Sequence, residues 1–110
     1  MHKVAHSYVT ADERRAMRVQ CAPLDDFGEM SMALWKEFAA GVSQDAIVAH
    51  DADMIDVAVQ AKEHIDCGFP AALEWITYAK TRVQTRTAKA LLSELLEVKL
   101  TDWWQGLKKL

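Results

Sequence analysis

The stretch AHDADMID, residues 49–56, holds side chains that could bind a metal ion. It contains an adjacent pair, His50 and Asp51, followed by two more carboxylates, Asp53 and Asp56. Imidazole nitrogens and carboxylate oxygens are common ligands of divalent metals, and a closed site needs three or four protein groups. Whether these side chains form such a site depends on which of them point in the same direction.

A helix over residues 43–68 gives each of these side chains a different direction. With about 100° between successive residues, Asp51 falls inside the apolar arc and Asp56 points to the opposite, polar side. Asp53 lies outside the arc near its edge, close to His50 three residues before it. Two ligands on one helix do not close a metal site, so the residues alone favour a buried Asp51 paired with a basic neighbour. The apolar arc is centred on Ile47, Met54, Ala58 and Ile65.

Two further groups of side chains are candidates for binding. His2 and His6, four residues apart, could hold a metal on a helix face, but no third ligand lies near them in the sequence. A group of basic residues could hold a phosphate, although a solvated helix face is the simpler interpretation. These basic residues are Lys80, Arg82, Arg86 and Lys89. The sequence has no glycine-rich phosphate loop, nucleophile elbow or Cys-x-x-Cys pair.

Composition limits the class of protein. The 110 residues are 51% hydrophobic and 26% charged, which predicts a single globular domain over 1–110. A net charge of −3 provides no basic field to recruit nucleic acid. No apolar run reaches the roughly 18 residues of a membrane span, and no signal peptide is recognisable. We therefore expect a cytoplasmic protein without a nucleic-acid or membrane partner, in which Cys21 and Cys67 are free thiols.

The pattern of apolar residues predicts an all-α fold, a bundle of five or six helices. Only four glycines and two prolines interrupt the chain, and alternating strand patterns are rare. A capping box from Thr10 to Glu13 is expected to open the first helix. Trp103 and Trp104 are expected to anchor the last helix onto the bundle, with a membrane-surface contact as the alternative. The predicted helices cover residues 10–22, 26–40, 43–68, 70 onward, 85–98 and 101 onward.

Several stretches in order resemble the HD-domain metal-dependent phosphohydrolases, most closely the 5′-deoxynucleotidase-like group. They are HKVAHSYV, DERRAMRVQ, MALWKEF, HDADMID, EWITYAKTRVQT and WWQGLKK. In that family a divalent metal is held by an early histidine, a His-Asp pair and a late aspartate in an Ala-Asp-x-hydrophobic stretch. Here that stretch is Ala52-Asp53-Met54-Ile55, so the resemblance implies that Asp53 is the counterpart of the late metal ligand. It also implies that the adjacent His50 and Asp51 are not the family's His-Asp pair.

The resemblance covers the carboxy-terminal part of the family's domain. The family's early histidine and His-Asp pair precede the region that resembles HKVAHSYV, so three of the four ligands have no counterpart in this sequence. Asp53 alone cannot hold a metal tightly or lower the pKa of a bound water. The resemblance therefore implies a chain without catalysis and without a cofactor.

Three roles remain open. The first is a non-catalytic HD-like helical protein that acts as a homodimer or a partner-binding module. Its motivation is that the face that the missing helices cover in the family would be apolar and exposed here, and a self-complementary dimer is the simplest way to bury it. The second is a phosphohydrolase acting on nucleotides and completed by a second chain or copy. The third is a remnant with no selected activity.

Overall fold

The computed structural model describes residues 10–99 and 101–105, without the side chains of Trp103 and Trp104. These residues form α-helices joined by short turns, and no strand occurs among them, which confirms the all-α prediction. The helices are α1 (Glu13–Cys21), α2 (Asp25–Ala40), α3 (Gln44–Asp66), α4 (Leu73–Arg82), α5 (Arg86–Glu94) and α6 (Asp102–Gln105). Single 3₁₀ turns at Ala22–Leu24 and Pro70–Ala72 precede α2 and α4.

The number of separate helical runs is smaller than the five or six that the sequence predicts. When each 3₁₀ turn is counted with the helices it adjoins, the described part has four runs longer than one turn, at 13–40, 44–66, 70–82 and 86–94. The run 13–40 counts α1 and α2 together because the 3₁₀ turn that contains Pro23 joins them directly, without an intervening loop. The predicted helix at 85–98 ends earlier, at Glu94, and continues as turns.

Side-chain caps start three of the helices. Ser43 Oγ accepts a hydrogen bond from the Ala46 N–H at 3.1 Å and so caps α3 at the residue where the sequence predicts that this helix starts. The prediction for α1 is wrong, because its cap is Asp12 rather than Thr10, and Asp12 Oδ1 accepts from the Arg15 N–H at 3.0 Å. Asp12 stands directly before the first helical residue, so its carboxylate takes the place of the expected threonine hydroxyl.

The end of α3 is fixed by a Schellman motif. Gly68 has a φ of 97°, and its N–H donates to the Ile65 carbonyl at 2.9 Å. The following N–H, of Phe69, donates to the His64 carbonyl at 2.9 Å, and the two rings meet edge to face with centroids 6.5 Å apart. These two bonds satisfy carbonyls that would otherwise lack a partner at the helix end. The predicted stop of α3 at Gly68 is therefore confirmed.

The chain divides after Ala40 into two compact units. The first contains α1 and α2, with Cys21 and Gly28 buried. The second has a core of small and branched side chains, against which Met54, Trp75 and Leu95 pack. Whether the chain is one domain over 1–110 stays a prediction. The core residues are Ala58, Ala61, Ile76, Ala79, Val83, Ala88 and Leu92.

No helix in the described part of the chain combines the length and apolar character needed to cross a membrane. His2 and His6, proposed above as a metal pair, lie outside the described residues, as do the side chains of Trp103 and Trp104. The expected anchoring of the last helix therefore stays a prediction.

Candidate functional site

Asp51 joins α3 to the turn between α4 and α5. Its side chain is buried, with 3% of its surface exposed, as its place in the apolar arc predicts. One carboxylate oxygen accepts from the Gln84 N–H at 2.8 Å and the other from the Thr85 N–H at 2.7 Å. The sequence predicts a basic side chain as the partner of Asp51, but the hydrogen-bond donors in the structure are two consecutive backbone N–H groups. A turn that presents adjacent N–H groups is a good receptor for a carboxylate.

The pKa of Asp51 is lower than the ordinary value of an aspartate. Burial of the carboxylate raises it, but the Thr85 hydroxyl and the Gln84 and Thr85 N–H groups all bind the charged form. Lys89 adds a favourable charge, and together these effects outweigh burial. Asp51 is therefore ionised at neutral pH, and both of its oxygens are occupied within the fold. This arrangement suits a structural anchor and leaves no oxygen directed toward a metal.

The Asp51 carboxylate meets α5 at its first turn. Thr85, where the sequence predicts that this helix starts, is its N-cap, and its Oγ1 accepts from the Ala88 N–H at 3.2 Å. A negative charge next to a helix N-terminus is also favoured by the helix dipole. Asp51, Thr85 and the first turn of α5 therefore form one connected set of hydrogen bonds. We call this set the Asp51 clamp.

Asp53, the counterpart of the family's late metal ligand, lies on the exposed side of α3. His50 is half-buried one turn before it, and Asp56 is exposed and accepts from the Gln60 side-chain amide at 2.7 Å. Among the described residues, no group of three or more histidine, cysteine, aspartate or glutamate side chains is arranged to hold a metal ion. One exposed carboxylate does not fit the three or four ligands that a divalent metal needs. The described residues therefore supply Asp53 as at most one ligand of such a site.

A groove runs beside α3 where the α4–α5 turn meets it, and we call it the His50 groove. Its volume is about 360 Å³, and it lies entirely within the second unit. The sequence offers His50 as a candidate metal ligand, set aside by the family resemblance, and Arg82 as one of four basic residues, but it does not bring the two together. The sequence contains no signal for this proximity, because Asp51, the neighbour of His50, binds backbone N–H groups just beyond Arg82. The groove is lined by Gly41, His50, Met54, Thr81, Arg82 and Gln84.

The four basic residues and the two cysteines do not make further sites. Lys80, Arg82, Arg86 and Lys89 are all exposed, but Lys89 acts on Asp51, whereas the Arg82 guanidinium lies 5.9 Å from the centre of the Tyr78 ring. Cys21 is buried in the first unit and Cys67 is exposed in the second, and both are free thiols. The exposure of all four basic residues agrees with the simpler interpretation, a solvated helix face.

Comparison with known proteins places the chain in a family. No curated protein and no solved structure matches the chain significantly. The sequence profile described as the HD domain matches residues 1–97, which is most of the chain. This match and the all-α fold agree with the resemblance drawn from the ordered motifs, and they show that the chain belongs to the HD-domain family.

Proposed function

We propose that this chain is a non-catalytic HD-domain protein, of the 5′-deoxynucleotidase-like group, that acts by associating with a second copy of itself. The observation that carries the proposal is an apolar stripe along α2. Its four side chains recur every three or four residues and therefore lie along one line of the helix. Their exposed fractions are 61% for Phe27, 54% for Met30, 60% for Leu34 and 38% for Phe38. We call these four residues the α2 stripe.

The size of the α2 stripe fits a weak dimer. Large apolar side chains each carry about 150–250 Å² of surface, so four that are roughly half exposed present on the order of 400 Å² per chain. A pair buries roughly twice that area, which is below the standard protein–protein interface of about 1,600 Å². Val19 and Leu24, 67% and 46% exposed in the same unit, provide further apolar area. We therefore expect a dimer with a dissociation constant in the micromolar range.

The order of residues in the α2 stripe favours a second copy over an unrelated partner. The stripe has a phenylalanine at each end, Phe27 and Phe38, with Met30 and Leu34 between them. It therefore reads nearly the same in both directions. When two antiparallel copies of α2 are related by a twofold axis, Phe27 of each copy lies opposite Phe38 of the other. Met30 and Leu34 of both copies then meet near the axis. Such a surface is complementary to itself and closes as a dimer.

The charges beside the α2 stripe give a way to distinguish this dimer from a complex with a basic partner. On a helical wheel Asp26 and Glu37 flank the stripe on the same side as Met30. In an antiparallel pair each acidic flank faces the other, so added salt should screen a repulsion and strengthen association. A basic partner would instead bind more weakly as salt is added.

Leu34→Glu should prevent dimerisation. The substitution places a charge at the centre of the apolar contact in both copies, and we expect the dissociation constant to rise about a hundredfold or more. The measurement is the molar mass of the full chain by light scattering over a range of concentrations. Leu73→Glu is the matched control, because Leu73 is 47% exposed on a helix of the second unit. A wild-type chain that stays monomeric at high micromolar concentration, or a Leu73→Glu variant that dissociates as fully as Leu34→Glu, would contradict the proposal.

The alternative function is a metal-dependent phosphohydrolase on nucleotides whose remaining ligands come from a second chain. The observation in its favour is the position of Asp53, which is exposed one turn from His50 and so accessible to ligands from another molecule. This alternative needs only that Asp53 contribute a single ligand to a site completed elsewhere.

We expect the purified chain alone to show no metal-dependent hydrolysis of nucleoside monophosphates. The physical reason is that one carboxylate cannot hold Mn²⁺ or Co²⁺ tightly enough to activate water. The test measures phosphate release with added metal for the wild-type chain, Asp53→Asn and Asp56→Asn. Turnover that disappears in Asp53→Asn but persists in Asp56→Asn would establish the phosphohydrolase instead.

A further inference from the structure

We propose that the chain's own segment 106–110, Gly-Leu-Lys-Lys-Leu, folds back from α6 and covers an apolar groove beside the second half of α3. We call this groove the Val59 groove. Every residue that lines it belongs to the second unit, whereas the α2 stripe belongs to the first. Its apolar lining consists of Val59, Leu95 and Val98, and its charged rim consists of Lys62, Glu63, Asp66 and Lys99.

The Val59 groove extends the core of the second unit to the surface. Leu95 lines the groove and also packs against the core. Val59 and Val98 leave 38% and 51% of their surface exposed, and Leu96, the neighbour of Leu95, leaves 42% exposed. Covering these side chains removes apolar surface from water, which is the main favourable contribution to packing. The groove therefore favours an occupant with aliphatic side chains.

The volume of the Val59 groove indicates side chains rather than a small molecule. It is about 200 Å³, which is below the roughly 300–1,000 Å³ of typical small-molecule sites. Leu107 and Leu110 are three residues apart, so they share a face when the segment forms a helical turn. Two leucines on one face are a suitable filling for a groove of this size and lining.

The charged rim of the Val59 groove favours a basic occupant over an acidic one. Lys62 Nζ donates to both carboxylate oxygens of Asp66 at 2.6 Å, so these two charges balance each other. Glu63 is exposed on the same helix and forms no ion pair within the described part of the chain. Lys99 opposes a cation, but it is exposed and therefore screened by water and salt. The two lysines of the segment 106–110 can meet Glu63 at the rim while the leucines enter the groove.

The segment starts close to the groove, because α6 is tied to a residue of the groove's rim. The Lys99 N–H donates to Asp102 Oδ2 at 2.9 Å, and the Asp102 N–H donates to the Lys99 carbonyl at 3.0 Å. The four residues of α6 rise about 6 Å along the helix axis. The five residues of the segment span up to about 17 Å when extended, which is enough to pass back along α6 to the groove. Gly106 suits the reversal, since glycine commonly turns the chain at the end of a helix.

Attachment to the same chain favours this segment over a separate partner. A short linker keeps a tethered segment at an effective concentration in the millimolar range. A free partner with the same contacts would have to reach that concentration to compete, and it would also lose the freedom of independent motion on binding. The chain's own segment is therefore the occupant that needs the fewest contacts to fill the groove.

Nuclear Overhauser effects between methyl groups of the full, isotope-labelled chain test the contact. We expect effects that join Leu107 or Leu110 to Val59 and Val98. Val98→Asp should lower the equilibrium constant for docking about tenfold or more, because it places a charge against the leucines. Leu91→Asp is the matched control: Leu91 is 52% exposed, as Val98 is 51% exposed, but it does not line the groove. Its substitution should change the equilibrium constant less than about twofold, as measured by the chemical shifts of the segment's amides.

Leu107→Asp changes the occupant rather than the groove and should reduce docking as much as Val98→Asp does. Because it alters no residue of the groove, it also tests the contact if Val98→Asp disturbs the fold, which unchanged amide shifts in α3 and α4 exclude. Overhauser effects that are missing in the wild-type chain, or equal losses in Val98→Asp and Leu91→Asp, would overturn the proposal.

A mixture of two differently labelled copies of the chain identifies the source of the segment. We expect the Overhauser effects within one copy only. Effects between the two copies instead would overturn the proposal and show that the groove receives the segment of a second copy. The same mixture prepared with Leu34→Glu in both copies keeps this result separate from the α2 dimer, because Leu34 does not line the Val59 groove.

Discussion

Replacing Asp51 by alanine is expected to lower the free energy of unfolding of the second unit by about 2–4 kcal/mol. The substitution removes the acceptor of two backbone N–H groups, Gln84 and Thr85, in a partly buried turn where water replaces it poorly. It also removes a hydrogen bond from the Thr85 hydroxyl, so the first turn of α5 loses support. Asp51→Asn should recover only part of this loss, because the asparagine NH₂ group faces an N–H donor rather than accepting from it.

Urea unfolding together with amide hydrogen exchange measures the effect of the Asp51 substitutions. Exchange should quicken most at Thr85 and Ala88, whose amides belong to the clamp. Asp56→Ala is the matched control: Asp56 lies on the same helix, is exposed and accepts only a local bond from Gln60, so its replacement should cost less than about 0.5 kcal/mol. Similar losses for Asp51→Ala and Asp56→Ala would contradict the structural role of the clamp.

The same comparison depends on pH in a defined direction. Because the pKa of Asp51 is lower in the folded state than in the unfolded state, its charged form stabilises the fold. This contribution is complete above the unfolded pKa, which is about 3.9, and is lost as the pH falls through the folded value. The difference in the free energy of unfolding between wild type and Asp51→Asn should therefore be larger at neutral pH. It should shrink as the pH falls below about 3.9, the unfolded pKa, toward the lower folded pKa. A stability difference between the two proteins that grows as the pH falls would contradict this prediction.

The helix termini show what local sequence can predict. Helices begin at Ser43 and Thr85 and end at Gly68, as the sequence predicts. The capping hydrogen bonds at these three positions join residues within about one helical turn, so local sequence is enough to predict them. The predicted start of α1 is wrong because threonine and aspartate are both preferred N-cap residues, and the capping-box pattern does not decide between Thr10 and Asp12. The described residues form fewer helical runs than predicted because the turn at Ala22–Leu24 joins α1 to α2 directly and because α6 is a single turn.

The site shows where local sequence is insufficient. The apolar arc of α3 placed Asp51 inside and Asp53 outside, and the burial of the one and exposure of the other agree. The partners of Asp51 could not be inferred, because they lie 33 and 34 residues away and are backbone groups, which leave no mark in the pattern of residue types. The His50 groove was missed for the same reason. The role of Asp53 as a metal ligand comes only from the family resemblance and stays a prediction.

The first unit depends on a close approach between α1 and α2 that only glycine allows. Gly28 lies in the first turn of α2 and is buried. A Cβ atom added there would overlap the Cys21 carbonyl oxygen and lie 3.2 Å from the Leu24 Cβ. The turn that brings these atoms together is already strained, because Asp25 has a φ of 45°, in a region that residues other than glycine rarely adopt. A backbone carbonyl cannot move aside as a flexible side chain can.

Gly28→Ala should therefore separate α1 from α2 rather than being accommodated. We expect the free energy of unfolding of this unit to fall by about 3 kcal/mol or more, even though alanine is the better helix former by about 1 kcal/mol. Gly68→Ala is the control for the general cost of replacing a glycine. Gly68 has a φ of 97° but no atom within 4 Å of an added Cβ, so its substitution costs only backbone strain, about 1–2 kcal/mol. Amide exchange over residues 13–40 distinguishes the two variants. A Gly28→Ala variant whose protection there equals that of the wild type would show that a Cβ atom fits beside the Cys21 carbonyl, against this prediction.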